Sequence, residues 1–295
     1  MCVTYFICIE MTKPTAHLPK PIRPGQVMAK FPKRPRDSHK GLFGTVAIVG
    51  GASGMIGAPL LAARAALKLG AGCIHVGLMA ENAPAIDMIQ PELMLHSVSA
   101  ALQLPGIDVL AVGCGLGRDS MAQQVVFDAL HSKAAVVLDA DALNILARRP
   151  DLQRLLIARE AVCVLTPHPG EAARLLSWST DEVQADRVAA VRQLAHKYTC
   201  SVVLKGAASL CAIRNGNLLI NRTGNPGMSA PGMGDVLTGM IAGLIAQGMA
   251  ADDALLLAVH LHGAAGDALA EHGITIGMTA TEVTDWARWL LNQRL

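Results

Sequence analysis

Residues 224–239 read Gly-Asn-Pro-Gly-Met-Ser-Ala-Pro-Gly-Met-Gly-Asp-Val-Leu-Thr-Gly. Backbone N–H groups in such a small-residue loop can converge on an anion. A helical apolar pattern starts at Asp235 and adds its positive dipole end. An acid there repels bound phosphate unless it takes a proton, and the fitting donor is a hydroxyl that attacks a phosphoryl group. The structural alternative is that Asp235 only caps the helix. The run of small residues on both sides of Pro231 favours the anion loop, with Gly232, Met233 and Gly234 as its hole.

Other chemistry-bearing residues fall where predicted strands end. Gly50-Gly51-Ala52-Ser53-Gly54 follows Thr45–Val49. Gly113–Gly117 follows Asp108–Val112. Asp139-Ala140-Asp141 follows Ala135–Leu138, Thr166–Glu171 follows Ala161–Leu165, and Lys205-Gly206 follows Ser201–Leu204. Ligands of parallel sheets gather beyond the carboxyl ends of strands. Lys205 could meet nucleotide phosphate or snorkel from the sheet edge. His168 sits in a stiff Pro-His-Pro turn, either as a ligand contact or simply opening a helix with Glu171 in its first turn. Asp139 and Asp141 could hold Mg²⁺ through water, or Asp141 could cap a helix beginning at Ala142. The turn at Gly50–Gly57 suggests a dinucleotide loop but is not G-x-G-x-x-G. No acid closes the next strand, where Leu78 and Met79 stand, so a dehydrogenase is disfavoured. Gly-Lys-Ser/Thr is absent, which excludes a Walker A loop. His260 and His262, two apart on a helix, do not share a face for a metal.

These residues need a scaffold. Apolar strands alternate with helices at 59–69, 120–131, 171–176, 181–198, 235–246, 252–271 and 281–292, which predicts a mostly parallel sheet covered on both faces. Asn215-Gly216 between Leu210–Arg214 and Leu218–Asn221 marks a hairpin toward one edge. The chain has 295 residues, is 52% hydrophobic and carries 28 Gly, enough for one large core. A net charge of +2 argues for neither nucleic acid nor acidic partners. The seven cysteines form no C-x-x-C pair and read as reduced residues of a cytoplasmic protein. No apolar run crosses a bilayer. Met1–Ile9 is short, lacks a basic flank and is not expected to act as a signal peptide, and Met11 is a second candidate start. Residues 1–37 are expected to form an extended, solvated arm rich in Lys, Arg and Pro, and residues 38–295 one domain.

Over residues 38–291 the motifs resemble the ribokinase-like superfamily, and within it the ADP/ATP-dependent NAD(P)H-hydrate dehydratases. They run in order from His39-Lys40-Gly41 through Gly50-Gly51, Gly54–Ala58, Gly113–Gly117, Asp139–Asn144, Leu165–Glu171, Leu204–Ala207, Asn225–Met228 and Gly234–Leu237 to His262–Asp267. The resemblance implies a three-layer α/β/α fold. It implies an ADP-dependent hydro-lyase that returns the S-epimer of hydrated NADH or NADPH (NADHX or NADPHX) to the reduced cofactor, releasing AMP and phosphate. Ala58, Gly115 or Gly117, His168 and Asp235 would contact the hydrate. Lys205, Gly206, Ala207, Ala208, Ser209 and Gly234 would hold ADP, and Asp235 would be the base. Mg²⁺ is implied as cofactor with no protein residue assigned to it, together with a homo-oligomer, a tetramer by resemblance, and a separate epimerase. Ala230-Pro231 stands where the family more often has a hydroxyl residue and Gly, and Cys114 where it often has Pro. A kinase of the same superfamily, acting on a thiazole or pyrimidine alcohol, is the alternative. A non-catalytic nucleotide-binding module is the other.

Overall fold

The computed structural model describes residues 18–293. Both candidate starts and the first part of the basic arm lie outside the described residues. Ten strands form one sheet: β1 Lys20–Pro21, β2 Thr45–Gly50, β3 Cys73–Leu78, β4 Met94–Ser97, β5 Val109–Val112, β6 Ala135–Leu138, β7 Cys163–Leu165, β8 Ser201–Leu204, β9 Leu210–Ala212 and β10 Leu218–Ile220. Their order is β1-β10-β9-β8-β7-β6-β5-β2-β3-β4. Pairing is parallel except where the β9–β10 hairpin joins β8.

Alternate residues of each strand enter different cores. Val46 and Ile48 pack on one face with helices Gly57–Lys68, Met233–Ala246, Ala251–Glu271 and Ala280–Asn292. Ala47 and Val49 pack on the other with Ser120–His131, Ala140–Arg148, Pro169–Leu176 and Arg187–Tyr198. Strands buried on both faces read as continuous apolar runs, as these do. The three-layer α/β/α architecture is thus present.

Several elements differ from expectation. β4 and the short helices Val98–Leu102 and Pro150–Ala158 were not anticipated. Met-Leu-His-Ser in β4 lies on the sheet edge with both ends exposed, so it lacks the apolar run that marks a central strand. The arm is not wholly extended: Pro24–Met28 is helical, and Ile22, Val27, Met28 and Phe31 are buried in the first core. The described cysteines are free, and all but Cys73 are buried. Among the described residues no helix is long and apolar enough to cross a membrane.

The Met233–Ala246 helix crosses Gly57–Lys68 at Gly239, where a Cβ would lie 1.9 Å from the Ala62 carbonyl oxygen. Gly→Ala in a helix normally gains up to about 1 kcal/mol. Here the clash is with backbone and cannot be relieved by a rotamer. Gly239→Ala is expected to lose about 2–3 kcal/mol in urea unfolding; a neutral or stabilising result contradicts this account of the crossing.

Candidate active site

The helix expected to start at Asp235 begins two residues earlier. Gly232, at φ +86°, occupies the N-cap, and Met233, Gly234 and Asp235 form the first turn. Asp235 is therefore not the cap, and no side chain caps this helix. The backbone N–H groups of that turn have no intrahelical acceptor and remain to meet an anion. A left-handed N-cap suits glycine and turns the loop sharply into the helix.

Two cavities meet here. One of about 750 Å³ is lined by Lys205, Gly206, Ala207, Ala208, Ser209, Met233 and Gly234, with Asn221, Thr223 and His262. The second, of about 610 Å³, is lined by Met55, Ala58, Leu61, Gly115, Arg118, Asn144, Arg174 and Gly232. Asp235, His168, Glu171 and Ala140 face both. Gly117 lines neither; its N–H donates to Asp141 Oδ2 at 3.0 Å.

The Gly50–Gly57 loop resolves as a tight strand-to-helix turn. Gly51 N–H donates to the Cys114 carbonyl and Ala52 N–H to that of Gly115, at 3.1 and 2.7 Å. Those donors are committed to the neighbouring loop and do not form an open phosphate cradle. The turn still brings Gly54, Met55 and Ala58 to the second cavity.

Asp139 is 1% exposed. Its Oδ1 accepts from Lys205 Nζ at 2.6 Å and its Oδ2 from Thr238 Oγ1 at 2.9 Å. Lys205 is thus no edge lysine but half of a buried ion pair, with Glu171 Oε2 at 4.0 Å. Burial opposes the ammonium charge, yet Asp139 and Glu171 outweigh it and hold the Lys205 pKa above its ordinary value. The Asp141 carboxylate does not cap a helix at Ala142, because that helix starts at Ala140. It binds Gly117 N–H and Arg118 Nε.

These bonds also test Mg²⁺. Both carboxylates are engaged elsewhere, and Lys205 already supplies the positive charge beside Asp139. Among the described residues, one cluster could gather around an ion: Cys114, Asp139 and Asp235, with ligand atoms within 4.8 Å of one another. A buried thiol is a soft donor, whereas Mg²⁺ demands oxygen. The side chains therefore form no Mg²⁺ cage.

Burial raises the Asp235 pKa from 3.8 to about 6; a hydrogen bond from the Cys114 thiol opposes the rise, Asp139 adds to it and Lys205 opposes it. A carboxyl poised there is ionised at neutral pH yet basic enough to accept a proton. His168 caps the Pro169–Leu176 helix, its Nδ1 accepting from Gly170 and Glu171 N–H at 3.0 and 3.4 Å. Its Nε2 then carries the proton and lies 3.1 Å from Glu171 Oε1. The helix-opening reading of His168 thus holds, and the residue also lines both cavities. His262 lines the larger cavity, where burial pushes it down to about 4.

Sequence reasoning assigned no role to Thr238, Asn144 or Arg174. Thr238 carried a signal, lying one turn after Asp235 on the same helix. Asn144 and Arg174 come together only in the tertiary structure.

A mostly parallel α/β/α sheet with an uncapped glycine turn, and a basic carboxyl shared by two cavities, defines a ribokinase-like enzyme. The chain belongs to the NAD(P)H-hydrate dehydratase family, whose model matches residues 46–288. It is 43% identical over 267 residues to an ADP-dependent (S)-NAD(P)H-hydrate dehydratase of Neisseria meningitidis, covering 89% of this chain and 90% of that protein. It is 40% identical to a bifunctional NAD(P)H-hydrate repair enzyme of Coxiella burnetii, matching 90% of this chain and 54% of that protein, so it spans about half of that longer relative. A crystal structure of an ADP/ATP-dependent NAD(P)H-hydrate dehydratase from Bacillus subtilis, co-crystallized with ATP/Mg²⁺, superposes with a TM-score of 0.84 at 32% identity, over 94% of this chain and 99% of that one.

Proposed function

We propose that this enzyme repairs damaged nicotinamide cofactors by the ADP-dependent dehydration of the S-epimer of NADHX or NADPHX, releasing AMP and phosphate. The observation that carries the reading is the meeting of two cavities at Asp235. ADP occupies the larger, held by Lys205–Ser209 and Gly234. The hydrated nicotinamide occupies the second, against Ala58, Gly115 and His168, with Gly117 shaping the loop through its bond to Asp141.

Asp235 takes the proton of the ring hydroxyl. The freed oxygen attacks the β-phosphoryl group of ADP, forming an O–P bond as the bond to AMP breaks. N–H groups of the Gly232–Gly234 turn stabilise the charge that develops on phosphorus-bound oxygen. Hydroxide is a poor leaving group; phosphate is a good one. The ring nitrogen then pushes its electron pair, the C–O bond breaks, phosphate departs, and the adjacent ring carbon loses a proton to the departing phosphate. Mg²⁺, arriving on the nucleotide phosphates with most of its water retained, would neutralise their charge.

The same reading assigns residues 38–295 to one catalytic unit, with residues 1–37 as a lead-in. It places the enzyme in the cytoplasm as a homo-oligomer served by a separate epimerase. The epimerase rests on the longer, bifunctional build of relatives such as that of Coxiella burnetii.

Incubation with NADH hydrate, ADP and Mg²⁺ is expected to restore absorbance at the NADH band, with one AMP formed per NADH regained. No recovery, together with phosphorylation of a thiazole alcohol, would overturn the assignment in favour of a small-molecule kinase.

A further inference from the structure

Arg174 stands apart from the other charged groups of the second cavity. Arg118 is neutralised by Asp141, Nε to Oδ1 at 2.8 Å. Glu171, one turn before Arg174 on its own helix, turns both oxygens to His168: Oε2 accepts the His168 backbone N–H at 2.8 Å and Oε1 faces Nε2 at 3.1 Å. Among the described residues no ion pair engages Arg174. Its Nη1 instead donates to Asn144 Oδ1 at 2.8 Å, and Asn144 is 6% exposed. A neutral amide on the Ala140–Arg148 helix thus fixes one arm of the guanidinium and leaves its charge whole.

A guanidinium held by one nitrogen presents the rest of its planar fork to whatever enters the cavity. That fork matches two oxygens of a phosphate, and Arg is suited to bidentate phosphate recognition. Arg174 lines the second cavity and not the larger one, so its anion is not the nucleotide bound by Lys205–Ser209.

We propose that Arg174, oriented by Asn144, is the anchor for the diphosphate bridge of the dinucleotide substrate. The assignment rests on the function proposed above, since that reading puts a dinucleotide in this cavity. The bridge carries two negative charges and lies away from the reacting ring, so the contact persists from bound substrate to transition state. Such uniform binding sets affinity and not the rate of chemistry.

Arg174→Gln keeps a donor for Asn144 and removes the charge. Its NADH affinity, read by fluorescence titration, is expected to fall roughly tenfold or more, the usual loss for a hydrogen bond to a charged group. Reduced nicotinamide riboside, which has no phosphate, should bind parent and variant alike. With NADH hydrate the loss should appear in KM, with kcat little changed and the KM for ADP unmoved. Equal losses for NADH and the riboside would make Arg174 a structural residue and overturn the proposal, as would unchanged NADH binding. The two readings fail separately. If NADH binding falls selectively but the parent regains no NADH from the hydrate, the anchor stands and the dehydratase assignment falls. If the parent dehydrates and the variant matches its KM, the anchor falls alone.

Discussion

Asp235→Asn is expected to lower kcat by roughly 10²–10⁴-fold, the range contributed by a positioned general base, while ADP affinity stays close to the parent's. The amide keeps the shape of the carboxyl and cannot take a proton. ADP affinity survives because the groups assigned to hold ADP in the larger cavity, Lys205–Ser209 and Gly234, are all kept. The same variant should be more stable than the parent. Burial lifts the Asp235 pKa from 3.8 to about 6, so the folded protein holds this proton more tightly than the unfolded chain. The contribution to stability is therefore favourable as pH falls from about 6 toward 4, and the ionised carboxylate costs stability above that window. Removing the charge should recover about 1–3 kcal/mol at neutral pH and raise Tm by a few degrees.

The pH dependence follows from the same group. The base works only when ionised, so kcat/KM, which follows the free enzyme, is expected to climb with pH through about 6 and then level, in place of the climb near 4 of an ordinary Asp. A variant that turns over within a few-fold of the parent, or a profile flat through that range, removes Asp235 from the role of base.

Lys205→Met is expected to cost about 3–5 kcal/mol, the range for leaving one partner of a buried ion pair alone. Asp139 is almost fully enclosed, and among the described residues Thr238 is then its only remaining side-chain donor. Methionine fills the space of the lysine stem without its charge. The double variant Lys205→Met with Asp139→Asn should recover much of the loss, because the orphan carboxylate is gone. Urea unfolding of the parent, both single variants and the double variant closes the cycle. Additive losses would mean that the two groups do not interact, which a 2.6 Å contact makes untenable. The comparison also separates two tasks of Lys205. If it serves only the nucleotide, ADP affinity falls and stability does not.

Much of the fold is legible in the sequence. Interior strands buried on both faces must be continuously apolar, and Val109–Val112, Ala135–Leu138 and Cys163–Leu165 are. Asn215-Gly216 marked the antiparallel hairpin, because the turn needs a left-handed residue that Gly216 supplies at φ +85°. The exposed edge strand Met94–Ser97 left no such trace. The helix start at Asp235 was misplaced because Gly-Met-Gly reads as loop by propensity. Tertiary packing and the positive φ of Gly232 set the true boundary.

By itself the sequence determined the kind of sheet, the strand ends that carry chemistry, and Asp235 as the acid of a glycine-rich turn. Those follow from local rules, in which a residue's neighbours along the chain decide its conformation. Only the tertiary structure decided which groups meet. It bound Lys205 to Asp139 across 66 residues, set Cys114 beneath Asp235, and left Arg174 on Asn144 with its charge uncancelled. Electrostatic energies depend on distance and burial in space, and neither is written in the spacing of residues along the chain.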